Sequence, residues 1–578
     1  MRVGSSGGYK VFQRFANEAA RGITVEDKKE QRHLRRNLRE YAKLTHLLRS
    51  FENNPKVPNG EQKANLILGY LRDNGVNAEV IKVVNPEYKK EKDPETLQYL
   101  YNVVIRIGNQ NSPERRAKGT RILTVVHHDT VRRDNIDTQQ YTLKETDGVK
   151  AVHAAWIQDD SAQAAAAILD AIEAQKEWKK NGKSRNGELV YVITDREERY
   201  CLGMRGLLEY WDSIGELGKF DAVIDGESNK QDVATGHRGR HLMTFQMPNT
   251  PSVAATYRQF YTMLQHSQRK IWNDSPEAQV GPTTVAPLYG TFSRDSSSHM
   301  VVDCRTNTTF DGKKTLKILQ DSLTTNNRIE HNLLTEADLA ALIIDPENKT
   351  ITVRATRQHP ASFNPTSDAS VLPVIDRLFS LLTSEEAQQI NRLTIGSPSS
   401  NSNSTPETAS ISFSSLPQTL SIDALLSRIT NKTQLASSLD SIGIGSELVQ
   451  NALGGITIET DPLSAREAIH TQENHWLPTV AVQHLNERVN AVLGGLNESR
   501  KNFAQFMGDA GRLAIYPDIW RKIGEAAVIF IGVGDPKWLH GDERLTQQDL
   551  IFGSIMYRGL PLKLWQEANK HLEPTQSS

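Results

Sequence analysis

Four short runs of apolar, largely β-branched residues constrain this chain most: RILTVVHHD (121–129), GELVYVITD (187–195), FDAVIDGE (220–227) and AAVIFIGVGD (526–535). Helical segments alternate with them, and SAQAAAAILDAIEAQKEW (161–178) lies between the first two. A strand that is apolar along its whole length must be covered on both faces. Such strands alternating with helices predict an α/β fold: a mainly parallel mixed sheet with helices on both faces. Upstream, Ala64, Leu66, Ile67, Tyr70 and Leu71 fall at helical spacing and end at Gly75, and the strand-like AEVIKVV and LQYLYNVVIRIG follow. The charged stretch EDKKEQRHLRRNLREYAK (26–43) reads as a solvated helix leading into the first core helix.

At 578 residues the chain should divide into at least two domains. Its character changes between about Gly239 and Pro462, where strands such as HMVVDCR and TITVRAT accompany the helical VLPVIDRLFSLL. The expected organisation is a first part of the main domain with an N-terminal helical extension (1–240), an inserted α+β domain (241–464) and a second part of the main domain (465–578). Within the insert, IGSPSSNSNSTPETASISFSS (395–415) is Ser/Asn/Thr/Pro-rich and is expected to be a flexible loop.

Lys and Arg total 68 against 69 for Asp and Glu, so no basic excess points to a nucleic-acid partner. Two distant cysteines, Cys201 and Cys304, make no disulfide framework and favour a reducing, cytoplasmic setting. The longest apolar run, Ala526 to Val533, has strand length, so no membrane span is expected, and the N-terminus has no signal-like apolar core.

The apolar runs end in residues that bind metals well: His127 and Asp129, Glu197 and Glu198, Glu227, and His540 a short loop beyond the last. In open α/β sheets, ligands gather outside the carboxyl ends of the strands. One such placement could be accidental; four together point to one site. On an extended chain His127 and Asp129 share a face while His128 points away. A metal-bound imidazole usually gives its second N–H to a carboxylate, which Asp129 can supply. Asp159 and Asp160 precede the alanine-rich helix, where capping selects Asp as readily as ligation does. Adjacent carboxylates such as Glu197 and Glu198 repel unless a cation or a shared proton compensates. A two-metal site answers this, one Glu binding metal and the other taking a proton from water. The Gly-x-Ser-x-Gly match GSSGG (4–8) follows none of the apolar runs, so no nucleophile elbow is read, and neither cysteine has a motif partner. A hydrolase with a Ser or Cys nucleophile is therefore disfavoured; a P-loop is likewise absent.

In this order along the chain, the motifs resemble those of metallopeptidase family 20, the co-catalytic di-zinc exopeptidases and deacylases. VVHHDTV is similar to its His-x-Asp segment and IQDDSAQAAAAIL to its Ala-Asp-Asp-Lys-x-Gly segment. ITDREERYCLGMRGLLE resembles Asp-Glu-Glu-x-x-Gly-x-x-Gly, DAVIDGESN the segment ending Gly-Glu-Pro-Ser, and FIGVGDPKWLHGDERLTQQDL the C-terminal Gly-x-Gly…His…Asp-Glu segment. The resemblance covers roughly residues 45–240 and 480–560. It implies two Zn2+ per subunit, replaceable by Co2+ or Mn2+. His127, Asp159 and Glu227 would hold one, and Asp159, Glu198 and His540 the other, with Asp159 bridging. Glu197 would be the general base, and Asp129 would orient His127.

The resemblance further implies that the insert is a lid that mediates homodimerisation. His359, after TITVRAT, would polarise the scissile carbonyl, and Arg305 of HMVVDCR would bind a substrate carboxylate. These two elements occur in the reverse of the usual order. Ser161 and Gln163 replace the usual Lys and Gly, and the stretch before the last strand survives only as GDAGR (508–512). Glu rather than Asp at position 227 resembles the carboxypeptidase and deacylase branch. The implied substrate is a peptide or N-acyl amino acid with a free carboxylate. An aminopeptidase or dipeptidase on the same scaffold, and a non-catalytic metal-binding regulator, are the alternatives.

Overall fold

A computed structural model describes residues 7–50, 60–90, 98–108, 119–130, 140–146, 148–181, 186–198, 201–237, 239–246, 469–472, 474–493, 501–504, 522–523, 526–535 and 543–572. It also describes 291–293, 299–306, 342–345, 350–354, 390–396, 408–413 and 457–460, and the single positions 257, 375 and 379. The chain divides into two compact units, one of Met1–Arg238 with Arg466–Ser578 and one of Gly239–Ala465.

The strands of the first unit, in chain order, begin with β1 (Ala78–Val84), β2 (Tyr99–Gly108), β3 (Thr120–His127), β4 (Thr142–Thr146) and β5 (Val149–His153). They continue with β6 (Gly187–Thr194), β7 (Ala222–Asp225) and β8 (Val233–His237). The second unit holds β9 (Gly239–Gln246), β10 (Thr291–Ser293), β11 (His299–Thr306), β12 (Leu342–Asp345), β13 (Thr350–Arg354), β14 (Ile390–Gly396), β15 (Thr408–Phe413) and β16 (Thr457–Thr460). Back in the first unit follow β17 (Ile469–His470), β18 (Lys501–Ala504), β19 (Ala527–Ile531) and β20 (Arg544–Thr546).

The main sheet runs β1-β2-β6-β3-β7-β19-β8-β17, with β18 also on β8. Its centre is β6, β3, β7 and β19, all mutually parallel; these are the four apolar runs of the sequence. β1, β2, β8 and β17 add antiparallel pairings at the flanks, so the sheet is mixed. Every residue of β3 and of β6 is buried, as a strand covered on both faces requires.

The side-chain alternation of β3 shows the two faces. Ile122 and Val126 belong to the core cluster that takes in residues of the helices Gly7–Gly22, Lys28–Ser50, Gln163–Asn181, Trp476–Leu493 and Leu560–Leu572. Leu123 and Val125 belong to the cluster on the other face, with Leu202, Met204, Leu207, Leu208 and Trp211 of the helix Leu202–Ser213. Helices therefore cover both faces.

The charged stretch 26–43 is not a separate solvated helix. It belongs to one helix, Lys28–Ser50, whose buried face already includes Leu34 and Leu38 and runs on through Tyr41, Leu44 and Leu48. Arg49 near its end is fully buried and donates to the carbonyls of Ala155 and Gln140 at 2.6 and 2.9 Å. It thereby anchors the backbone leading into the Asp159–Asp160 turn.

In the second unit, β10-β14-β15-β13-β12 form one sheet and β11-β9-β16 another. The 395–415 stretch expected as a loop is partly sheet: Thr394, Ile395 and Gly396 pair with Ser410, Ala409 and Thr408. Alternation within TASISF favours a strand, which the Ser and Thr content of the whole window hides. The helix expected at VLPVIDRLFSLL falls outside the described residues except at 375 and 379. Among the described residues no helix is long and apolar enough to cross a membrane.

One buried acid in the helix Gln163–Asn181 should make folding pH-dependent. Asp170 accepts from the Tyr191 hydroxyl at 2.6 Å and from the Gly559 amide at 2.8 Å. Burial outweighs these bonds and raises its pKa from 3.8 to about 7. Because the folded value lies above the unfolded one, its stabilisation is complete below about pH 4 and is lost as pH rises through about 7. The full shift corresponds to about 4 kcal/mol. Asp170→Asn should flatten the decline of melting temperature between about pH 5 and 8. An unchanged decline would remove Asp170 as its source.

Candidate metal centre

The site lies at the carboxyl ends of the central strands. β3 ends at His127, whose ring is buried. Its Nδ1 faces the Asp129 main-chain oxygen at 3.1 Å and the Asp129 carboxylate at 3.4 Å. Those acceptors favour a proton on Nδ1, so Nε2 is the nitrogen that would face a cation. Nε2 lies 3.0 Å from Asp159 Oδ1 without the alignment of a hydrogen bond. His128 turns the other way, as strand alternation predicts, to the Tyr101 carbonyl of β2 at 2.9 Å.

Asp159 and Asp160 lie in a single wide turn, Ile157–Ala162, ahead of the helix Gln163–Asn181, and the peptide between them is cis. Both have non-helical backbone angles. Asp160 Oδ2 accepts from the His127 amide at 2.9 Å, so this carboxylate ties the turn to the end of β3. Asp159 turns its carboxylate to His127. From the far end of the chain, Glu543 accepts from the amide of Gln158 at 2.9 Å and, more weakly, from that of Asp159 at 3.4 Å.

After β6, the Glu197–Glu198 doublet is held through its backbone. Asp129 Oδ1 accepts from the Glu197 amide at 2.9 Å and Oδ2 from the Glu198 amide at 3.2 Å. One carboxylate thus touches both the His127 ring and the doublet. The Cys201 thiol donates to Glu197 Oε1 at 3.0 Å.

Glu227 follows β7 and is buried. A Cβ at Gly532, just past β19, would collide with the Glu227 carbonyl, so this close approach requires glycine. Gly534 has φ +84°, the left-handed region that glycine enters without strain.

Donor atoms of His127, Asp159 and Glu227 all lie within 4.8 Å of one another. Without a cation this is an unfavourable gathering of negative charge. Burial first, then Glu197 and Asp159, hold the Glu227 carboxyl well above its ordinary value. Burial, Asp159 and Glu197 do the same to Glu198, and burial does so to Asp160 against the pull of His127. Burial opposes a charge on His127, but Asp160, Asp129 and Asp159 together raise its pKa well above 6.5. Asp129 runs the opposite way: although burial disfavours its charge, the His127 hydrogen bond and the nearby imidazoles lower it to about 2.

A buried imidazole nitrogen 3.0 Å from a carboxylate, among acids that resist ionisation, gathers protons in the metal-free protein and fits a divalent cation in their place. A His-plus-carboxylate donor set suits zinc.

Of the five ligands expected from the sequence, the structure brings His127, Asp159 and Glu227 into one group. Glu198 stands outside that group but within electrostatic reach of Asp159 and Glu197. Its Oε1 is buried and lacks a hydrogen-bond partner among the described residues. His540 and His359 lie outside the described residues. Arg305 is on β11 of the second unit, paired across the strands with Arg240.

The sequence leaves Asp160 between helix capping and ligation and marks no role for Glu543 or Cys201. Glu543 could have been found as the second acid of WLHGDE, and Cys201 from its place four residues after Glu197 in the turn into a helix.

No family model matches the chain, and no curated protein matches it. Solved structures do. Human carnosine dipeptidase 1 is 12% identical, with 93% of this chain and 98% of that one covered and a TM-score of 0.42. Aminopeptidase PepT from Bacillus cereus is 10% identical, with 91% and 98% covered and a TM-score of 0.44. An M20 family metallo-carboxypeptidase from Sulfolobus solfataricus is 15% identical, with 91% and 99% covered and a TM-score of 0.41. Likenesses this loose carry no weight for function, which rests on the residues of this chain.

Proposed function

We propose that this protein is a two-zinc hydrolase that cleaves an amide bond in a peptide or N-acyl amino acid bearing a free carboxylate. The convergence of His127, Asp159 and Glu227 beside a Glu197–Glu198 doublet fixed by Asp129 carries the reading. His127, Asp159 and Glu227 would hold one metal; Asp159, Glu198 and His540 would hold the other. When bound, the pair supplies Lewis acidity toward water and the substrate carbonyl.

The remaining steps belong to the chain. Glu197 takes a proton from the attacking water as its oxygen bonds to the carbonyl carbon. It then returns that proton to the leaving nitrogen as the C–N bond breaks. Asp129 keeps the His127 proton on Nδ1 and holds the backbone that aims Glu197. His359 as carbonyl polariser and Arg305 as carboxylate reader rest on their sequence motifs.

The test is elemental analysis of the purified protein together with a substrate panel. The panel contains N-acyl amino acids and peptides blocked at either end. Bound zinc with hydrolysis that requires a free carboxylate is the expected result. Zinc-dependent hydrolysis that instead requires a free amine would overturn the substrate class. A protein that binds no divalent metal would overturn the whole reading.

A further inference from the structure

We propose that Gln163 is a positioning residue that locks the Asp159 and Glu227 loops at the spacing the metal requires. This rests on the reading of Asp159 and Glu227 as ligands. Gln163 is the first residue of the helix Gln163–Asn181 and is fully buried. Its Nε2 donates to the Gln158 carbonyl at 2.7 Å and to Ser228 Oγ at 3.1 Å. Both protons of the side-chain amide are thereby engaged.

The two acceptors are informative. Gln158 immediately precedes Asp159, and Ser228 immediately follows Glu227. A single amide group therefore links the backbone carbonyl beside one ligand to the side-chain hydroxyl beside the other, and the two ligands come from different connections of the fold. Ser228 is buried, so its hydroxyl cannot exchange this partner for bulk water without loosening the loop.

The two side chains also replace residues that could not make the contact. Where the resembled motifs carry Gly and Pro, this chain carries Gln163 and Ser228. Glycine has no side chain to bridge the gap, and proline has no hydroxyl to accept. The two substitutions lie 65 residues apart in sequence yet meet in space. Each is unexplained alone, and together they form one hydrogen-bonded link. Partners that orient metal ligands typically change metal affinity by about 10–100-fold when removed.

The experiment measures zinc affinity of the full-length, metal-stripped protein by competition with a chromogenic chelator. Gln163→Met keeps the length and bulk of the side chain without its amide donors. It should weaken zinc binding by about 10–100-fold, with the circular-dichroism spectrum of the metal-free protein unchanged. Ser228→Ala removes one acceptor and should weaken binding less. Because the pair acts as one link, the double variant should bind about as the Gln163→Met protein does, not as the product of the two losses.

Wild-type affinity in Gln163→Met would overturn the proposal, and so would strictly multiplicative losses in the double variant. If Gln163→Met fails to fold, Ser228→Ala with undiminished affinity overturns it as well. Failure of the wild-type protein itself to bind zinc is a separate outcome, which sinks the ligand assignment instead.

Discussion

Glu197→Gln should lower turnover by about 10²–10⁴-fold, the usual contribution of a general acid–base group, while the protein keeps its zinc. Gln preserves the shape of Glu197 and can still accept from the Cys201 thiol, which lies 3.0 Å from Oε1. The backbone amide that Asp129 holds at 2.9 Å is untouched. Only the capacity to take up a proton is lost. The substitution also removes one of the negative charges that press on Glu227 and Glu198. Metal-free Glu197→Gln protein should therefore be no less stable than the wild type. Kinetics on the preferred substrate, with zinc measured on the same preparation, separates the two effects. Full activity in the variant would rule out Glu197 as the base. Lost activity with lost zinc would instead make Glu197 a ligand.

Much of this arrangement could be read from local pattern. β6, β3, β7 and β19 are buried on both faces, so each is apolar along its whole length and stands out in sequence. The polar residues at their ends are then placed on one edge by the parallel order alone. His127 and Asp129 were legible for a further reason: strand alternation puts them on the same side, and the observed 3.4 Å contact is what that predicts.

What local pattern could not resolve is which of two like neighbours does what. Asp159 and Asp160 both fit a helix cap, yet Asp160 reaches β3 and Asp159 reaches the His127 ring. Only the tertiary partner distinguishes them. Glu543 is separated from Gln158 by 385 residues, and no periodicity reports such a contact. The helix Gly7–Gly22 is a different case. Phe12, Phe15, Ala16, Ala19 and Ala20 are buried at helical spacing, a stripe that a search for a leader sequence does not weigh.

Stripping the metal should steepen the fall of stability with rising pH. In the metal-free protein Asp160, Glu198 and Glu227 hold protons that the unfolded chain releases near pH 4. Groups whose folded pKa is raised stabilise fully below the unfolded value, and the benefit is lost as pH rises through the folded one. His127, also raised, acts in the same direction, its contribution falling away only above about pH 6.5. Asp129 acts oppositely, but its window lies between about 2 and 4, below the range of interest. With chelator present, the melting temperature should therefore fall from about pH 5 to 8. With zinc fixed at a hundredfold its dissociation constant at pH 8, binding adds about 2.7 kcal/mol at that pH. The gain is larger at pH 8 than at pH 5, because protons compete for the same ligand atoms. Asp170 titrates in both samples and cancels in the difference between them. The zinc-induced rise in melting temperature, measured by scanning fluorimetry at each pH, should grow steadily with pH. A rise of constant size would mean that the buried acids are not the groups the metal neutralises.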